Sequence, residues 1–495
     1  MRTARSARIV RPEVEVEPAP SPAAAPDPAV ADPSGPMAVD LHGALALAVR
    51  HNRDYLSRHE ALYRQGLSYS FTRFQFGPLF QSTIAHVWAD QENALGVQRL
   101  SGNLGVSQIL PTGGRLGADV LLGRDWFERT AGGGAFGDGQ YDSALALTLR
   151  QPLLRGAGYE VSHAALTQAE RDLVYAIRDF ELFRENFSIG IARSFFDLVS
   201  QQQTLDNEET NLRQAVFDRR QAEALLQVDR VTEVEVYRAR RREIEAENRL
   251  LDARATFERA RDQFKIDMGL PIAAAIEIAP AEPPFEPVRF DPDSAVASAR
   301  ANRLDLITEQ QRLEDAEREV RIAENAVLPQ LDLDVGVGLG ADPAGGFGAA
   351  LPDEWNASIG ITMALPLQRV GERNNLRSAQ IALEQARRGY GLLLDQIELE
   401  IKNQLRNLRS LEQQIALQRG QIVQEQRAVT VTEIRFESGD LDNRDLLEAR
   451  NALFAAQNAL IQLQVQHFIA RLQLLRDLGL LFVDDDGMWD DGAGR

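Results

Sequence analysis

Three absences narrow what this chain of 495 residues can be. It contains no cysteine, which excludes disulfides, zinc-thiolate sites and a lipid-modified N-terminal cysteine. It also contains no run of about 18 or more apolar residues, so no transmembrane helix is expected, although a transmembrane β-barrel has a much weaker hydropathy signature and stays open. Asp and Glu number 73 against 54 Lys and Arg, a formal charge of −19. Nucleic acid is therefore not expected as a partner, because phosphate binding needs clustered basic residues.

The first 36 residues begin basic and then become rich in Pro and Ala. They lack the apolar stretch of about 7–15 residues that a secretory signal requires. This composition predicts a disordered tail, and no export signal is visible in it.

The rest of the chain contains an internal repeat. At an offset of 210 residues, 226–270 aligns with 436–480 without a gap, and both segments end on the same Gly-Leu pair. Earlier in each half, a helical segment with an Asn-Arg pair is followed by Pro and a zone of strand-like alternation, over 79–153 and 330–366. Each half is thus predicted to run helix, strands, long helix, tip turn and return helix.

The long helices exceed what a globular core needs. From Gly156 to about Gln227, and from Gly371 to Ser438, almost no helix-breaking residue occurs. Helices of about 65 residues would be about 100 Å long. The return helix of the second half keeps a heptad of Leu and Ala with His467 in one polar slot, which indicates a coiled-coil seam.

The strand-like zones alternate large apolar residues with small or polar ones. The segment LDLDVGVGLG, residues 331–340, has an aliphatic residue at every odd position and an acid or glycine at every even one. Alternation of this kind is typical of membrane barrel strands, and it also fits a soluble sheet with one wet face. A few strands cannot form a core against such long helices, so we expect them to close with other copies of the chain.

Taken in order, these features resemble the TolC family of outer-membrane efflux proteins over roughly residues 38–482. The carriers are the duplicated plan, the Asn-Arg helix followed by Pro and strands, the strand ends QPLLRG and LPLQ, and the tip motifs. The second tip, 436–441, fits the family's Gly-turn before an Asp-rich helix start. The first, 226–232, departs from it because Asp229 stands where Gly is usual, although Asp tolerates left-handed backbone better than most residues.

The resemblance implies an α+β membrane protein, a trimeric transmembrane β-barrel continued by a long periplasmic α-helical barrel of coiled-coil hairpins. It implies a homotrimer in outer-membrane lipid that works with a periplasmic adaptor and an inner-membrane pump as a passive exit duct. Family members usually contribute four barrel strands per chain, and an extra hairpin within 97–127 would either enlarge the barrel or lie outside it.

The expected domain plan follows the repeat. It consists of a tail (1–37), a first repeat (38–270, strands 79–153, tip near 228–232), a linker (271–292), a second repeat (293–482, strands 330–366, tip near 438–441) and an acidic tail (483–495).

The same resemblance places functional residues at the tips and on the strands. An acidic periplasmic gate is expected at Asp445 and Glu448, with Glu235 as the repeat equivalent of Asp445 and Arg444 as an ion-pair partner that could hold the gate closed. Acids early in a helix also favour its positive N-terminal dipole without any gating role. The expected adaptor contacts are Val228, Asp229, Arg230, Val231 and Thr232 in the first tip, and Ser438, Gly439, Asp440 and Leu441 in the second.

In the strand LDLDVGVGLG, Leu331, Leu333, Val335, Val337 and Leu339 are expected to face outward, to lipid or to the outer packing layer. Asp332 and Asp334 are expected to face a water-filled lumen and stay hydrated.

No chemistry is predicted. The six His residues lack metal-ligand spacing, and no nucleophile elbow or phosphate loop is present, so we expect no enzyme activity, cofactor or metal. The alternative is a soluble or periplasmic coiled-coil scaffold or adaptor without a pore.

Overall fold

The computed structural model describes residues 37–89, 97–127, 140–340, 354–438, 441 and 443–490. Nine helices lie in these ranges: α1 (Leu41–His51), α2 (Arg53–Gln75), α3 (Tyr159–Ser162), α4 (Ala164–Leu226), α5 (Glu233–Asp267), α6 (Pro292–Asn302), α7 (Leu304–Val327), α8 (Val370–Glu437) and α9 (Asn443–Asp477). The two longest, α4 and α8, have 63 and 68 residues and confirm the predicted long helices. None of the helices in these ranges combines the length and the apolarity needed to cross a membrane.

The ten described strands form one large sheet and two small ones. The strands are β1 (Met37–Val39), β2 (Leu79–Ala89), β3 (Val97–Ile109), β4 (Arg115–Phe127), β5 (Gln140–Pro152), β6 (Ile276–Ile278), β7 (Gln330–Gly340), β8 (Glu354–Ala364), β9 (Phe482–Val483) and β10 (Trp489–Asp490). The large sheet is antiparallel throughout, in the order β2-β3-β4-β5-β7-β8. The hairpin expected within 97–127 is therefore a full member of the sheet.

The short pairings refine the predicted domain ends. Met37, placed in the N-terminal tail by its sequence, starts β1, which pairs with β6 of the predicted linker. The predicted acidic tail from 483 contains a short hairpin of β9 and β10, in which the Asp484 amide donates to the Met488 carbonyl at 2.7 Å. Residues 1–36 and 491–495 lie outside the described ranges.

Side-chain caps explain why the short helices begin where they do. Asp40 accepts from the Gly43 amide at 2.8 Å, and Asn52 accepts from the amides of Asp54 and Tyr55 at 2.8 and 3.0 Å. The Asn52 cap starts α2 directly after α1, because its oxygen satisfies two amides that have no partner within the helix. Asp291 plays the same part for α6, with Pro292 at its first turn.

The long hairpins of the two repeat halves end in the same way. Gly269 and Gly479, 210 residues apart, end α5 and α9 with φ of 75° and 65°. A Cβ at Gly269 would lie 2.1 Å from the His51 carbonyl oxygen, and one at Gly479 would lie 2.6 Å from the Cβ of Asn302. Each long hairpin thus ends against the break between two short helices, at the Asn-Arg pair that the sequence repeats.

The core lies where the hairpins cross these short helices. One buried cluster joins α1, α4, α5 and α9 and includes Phe195, Phe264 and Leu472, while a second joins α6, α8 and α9 and includes Ile401 and Leu478. Elsewhere the long helices are half-exposed. The core therefore fixes the helical hairpins against the short helices α1 and α6.

A buried carboxyl at the edge of this core makes stability depend on pH. Glu185 on α4 is 6% exposed, and its Oε2 has no hydrogen-bond partner. Burial, reinforced by the negative charge of Glu181, raises the pKa of Glu185 from 4.5 to about 8. The folded protein therefore keeps a proton that the unfolded chain loses as pH rises above about 4.5.

Glu185→Gln is expected to stabilise the protein increasingly between pH 5 and pH 8, because the wild-type free energy of unfolding falls over this window. The difference should approach about 2–4 kcal/mol at the alkaline end, measured as the unfolding midpoint at each pH. The exposed Glu258→Gln is the matched control and should show no such trend. A pH-independent effect of Glu185→Gln would contradict the assignment.

Candidate functional site

The large sheet has two chemically different faces. Its strand register aligns Leu104, Val120, Leu145, Leu339 and Trp355 in one row across five strands. The next row on the same face runs from Phe80 through Leu147 and Val337 to Ala357. Several of these side chains have no cover in the single chain: Phe80 is 84% exposed and Trp355 75%. The sheet thus presents one largely apolar face, which also carries the polar residues Ser82, Arg124 and Ser143.

The five aliphatic residues of β7 all lie on this apolar face, because each stands opposite an apolar residue of β8. In order along β7, the pairs are Leu331 with Met363, Leu333 with Ile361, Val335 with Ile359, Val337 with Ala357 and Leu339 with Trp355. Their grouping on one face matches the alternation in the sequence. Their contact with lipid stays a prediction.

The opposite face carries paired charges. Arg150 on β5 lies 3.2 Å from Asp332 and 3.3 Å from Asp334 on β7, and Arg99 on β3 pairs with Asp125 on β4. Asp332 is 4% exposed. The expectation that Asp332 stays hydrated is therefore wrong, because the Arg150 guanidinium and the Gln330 amide at 2.8 Å replace its water.

The first hairpin tip is a short turn between α4 and α5. Val228, Asp229, Arg230 and Thr232 are exposed and Val231 is half-buried. Asp229 has φ of 55°, and it is the one non-glycine residue with positive φ in the described ranges. Asp229 thus adopts the left-handed backbone conformation that glycine adopts most readily.

Asp229→Gly is expected to raise stability by roughly 0.5–1 kcal/mol, because glycine adopts positive φ without the steric cost that a Cβ imposes. The measurement is the thermal unfolding midpoint. Arg230→Gly, one residue on and without positive φ, is the control and should lower it. If both variants lower the midpoint equally, the turn is not strained at Asp229.

The second tip is described in part. Ser438 is exposed, its hydroxyl donates to the Arg435 carbonyl at 2.9 Å, and Leu441 is half-buried. Gly439 and Asp440 of the predicted adaptor contact lie outside the described residues, as does the side chain of Arg444.

The predicted gate acids lie on the first turns of α9. Asp445 and Glu448 are both exposed, and their spacing of three places them on one side of the helix. Their repeat counterpart Glu235 is half-buried and forms an ion pair with Arg238 at 2.6 Å. The structure thus brings Asp445 and Glu448 together, while Glu235 already has a cation beside it.

One pair of tip contacts was not predicted from the sequence. Glu223 and Arg240 join α4 to α5 at 3.0 Å, and Glu433 and Arg450 join α8 to α9 at 2.6 Å. Both members of the second pair lie 210 residues after those of the first. The aligned arginines lie within the repeat 226–270, but the aligned glutamates precede it. Equivalent ion pairs thus connect the two helices of each hairpin near its tip.

Within the described ranges, no group of three or more His, Asp and Glu residues is placed to hold a metal ion.

The chain is similar to a known protein family and to two curated relatives. The model of the family described as outer membrane efflux protein matches residues 295–480. The pyoverdine export outer membrane protein OpmQ of Pseudomonas aeruginosa is 25% identical over 202 residues, 40% of this chain and 42% of OpmQ. The outer membrane efflux protein BepC of Brucella suis is 26% identical over 198 residues, 40% of this chain and 43% of BepC. Each match thus spans less than half of the curated relative.

The fold comparison covers far more of the chain. The outer membrane protein VceC of Vibrio cholerae superposes with a TM-score of 0.64 over 89% of this chain and 96% of VceC, at 18% identity. As the resemblance to the TolC family predicts, the chain has the fold of the outer-membrane efflux channels, and its second half matches the outer membrane efflux protein family.

Proposed function

We propose that this protein is an outer-membrane exit duct, a homotrimer that passively passes substrates from the periplasm or an inner-membrane pump to the exterior. The observation that carries the proposal is a sheet with one largely apolar face joined to two helical hairpins whose longest helices have 63 and 68 residues. At 1.5 Å per residue these helices reach about 95–100 Å. Such a reach has little use in a globular protein and suits a tunnel across the periplasm.

The sheet supports a membrane location for one physical reason. Lipid cannot hydrogen-bond a backbone, so a sheet within it must close on itself. A single chain supplies strands with an apolar side and a charged side. Several copies closed into a ring would put the apolar side against lipid and the Arg150–Asp332 side against water.

The geometry of the helical part supports the proposal of an adaptor and an inner-membrane pump as partners. The exposed turns around Val228 and Ser438 stand at the far end of the hairpins from the sheet. In a trimer these turns would surround the periplasmic entrance, where an adaptor and an inner-membrane pump would dock. Substrate moves down its gradient, and the protein supplies no chemical step.

The entrance is proposed to carry two rings of negative charge from Asp445 and Glu448. Removing both charges with Asp445→Asn and Glu448→Gln is expected to raise single-channel conductance or to abolish block by divalent cations, since such ions bind rings of carboxylates. Planar-bilayer recording of the purified protein provides the measurement.

The control for the gate variant removes the same charge about 20 Å away from the tip. Glu247→Gln with Asp252→Asn neutralises two exposed acids on α5 and should leave conductance and divalent block unchanged. Identical recordings from the gate variant and the wild type would remove Asp445 and Glu448 from the gate.

A further inference from the structure

The unusual part of this sheet is the hairpin formed by β3 and β4. The TolC resemblance implies four strands from each chain, and this chain places six in one sheet. We propose that the hairpin is part of the barrel wall, so that three chains close a barrel of 18 strands, six from each chain, in place of 12. The proposal rests on the proposed trimeric duct and specifies the surface through which its copies join.

The hairpin is paired along most of its length on both outer sides. All residues of β3 face residues of β4, from Val97 opposite Phe127 to Ile109 opposite Arg115. On the outer sides, β3 pairs with β2 and β4 pairs with β5 over eleven residues each. A hairpin folded away from the wall would leave β2 beside β5, and here two strands separate them.

The hairpin also continues both faces of the sheet. Leu104 and Val120 extend the apolar face, while the ion pair between Arg99 and Asp125 belongs to the charged face. A loop outside the membrane would have no reason to alternate in this way. Each strand thus has the two-sided pattern of a barrel strand.

The turn of the hairpin is fixed to the helical part. The carbonyl of Thr112 accepts from the Gly158 amide at 3.0 Å, and the Thr112 hydroxyl donates to Gln151 at 2.6 Å. Gly113 has φ of 90°, and a Cβ there would lie 2.5 Å from the Gly156 carbonyl oxygen. The turn therefore rests on the short segment that leads from β5 into α4.

This contact explains how a sheet of six strands is supported by four connecting helices. The strands β2, β5, β7 and β8 each connect directly to a helix, whereas β3 and β4 are joined to each other at the helical end. Docking the turn against Gly156–Gly158 supports the added strands without an added helix.

The two sheet edges fit a second copy of this chain. The edge strands β2 and β8 both have 11 residues and run in opposite directions, as antiparallel pairing between neighbouring copies requires. Their apolar side chains are among the most exposed in the chain, with Ile84 at 83% and Ile359 at 78%. Since an unpaired strand edge is not tolerated in lipid, β8 of one copy pairs with β2 of the next.

Closure with six strands per chain changes the width of the exit. The diameter of a barrel grows roughly linearly with its strand number, so 18 strands would be about half again as wide as 12. The periplasmic helices gain no members, so the added strands would widen the outer-membrane part of the duct alone.

Strand-to-strand cross-linking tests this arrangement in a chain that has no cysteine of its own. Cysteines at Asp119 and Ala146, which stand opposite each other on β4 and β5, should form a disulfide within the chain. Cysteines at Thr83 and Ala146 should not, because three strand spacings of about 4.8 Å separate β2 from β5. A cysteine at Ser358 on β8, combined in turn with one at Gln81, Thr83 or Ala85 on β2, should join neighbouring chains in at least one combination.

The outcomes separate the strand number from the channel itself. A disulfide between Thr83 and Ala146, with the β8-to-β2 cross-link between chains retained, would overturn the six-strand wall and leave a trimeric duct with four strands per chain. A protein that forms no cross-link between chains and remains a monomer would overturn the proposed duct together with this inference. Cross-links between Asp119 and Ala146 and between β8 and β2 of neighbouring chains, without one between Thr83 and Ala146, support it.

Discussion

Ile359→Arg is expected to prevent the protein from assembling in the outer membrane, whereas Ser358→Arg, one residue earlier, is expected to assemble normally. Ile359 lies near the middle of β8 on the apolar face and is 78% exposed in the single chain. Ser358 lies on the opposite face. An arginine on the lipid side at the bilayer midplane costs about 2–4 kcal/mol, and every copy in the ring would bear that cost.

The comparison of Ile359→Arg with Ser358→Arg is informative because charge, size and position along the strand are nearly matched. The measurement is the amount of detergent-extractable oligomer in the outer-membrane fraction after expression with a working export signal. Equal amounts of both variants would mean that the apolar face does not contact lipid. Loss of both would point to β8 itself, rather than to one face of it.

Alanine at Gly269 or Gly479 is expected to destabilise the helical part of the protein severely. Both glycines have positive φ, and an added Cβ would meet main-chain atoms of the His51–Asn52 or Asn302 segment. Strained backbone costs about 1 kcal/mol or more, and overpacking adds about 1–3 kcal/mol, so each variant should lose at least 2–4 kcal/mol. The measurement is the unfolding midpoint, or the yield of folded protein where the loss is too large to titrate.

Gly420→Ala provides the control for these glycines. Gly420 lies within α8, and nothing within 4 Å would contact its Cβ, so alanine there should raise helix stability by about 1 kcal/mol. The two repeat-related variants should resemble each other and differ in sign from Gly420→Ala. A neutral Gly479→Ala would show that the hairpin end does not pack against Asn302 as described.

Sequence periodicity predicted most of the fold because long helices and alternating strands leave strong local patterns. The absence of breakers between Gly371 and Ser438 predicted α8 almost to the residue, and the alternation of 331–340 predicted β7. The hairpin 97–127 was found, but its place in the sheet was not. That place depends on pairing with β2 and β5, which a local pattern cannot specify.

Contacts between distant segments account for what was missed at the site. The sequence of β7 predicted Asp332 as a hydrated lumenal acid, because its partner Arg150 lies 182 residues earlier and meets it only through the pairing of β5 with β7. The β9–β10 hairpin was predicted as a tail because its strands have two residues each. The tip ion pairs follow the repeat, and an alignment extended a few residues toward the N-terminus pairs Glu223 with Glu433.

The most direct test of the trimeric outer-membrane duct is the solubility and oligomeric state of the full chain expressed with a functional export signal. Such a duct is expected to sediment with the outer membrane, to require detergent for extraction and to have the mass of three chains by native mass spectrometry. A protein that stays soluble without detergent and runs as a monomer would contradict it and favour a coiled-coil scaffold without a pore.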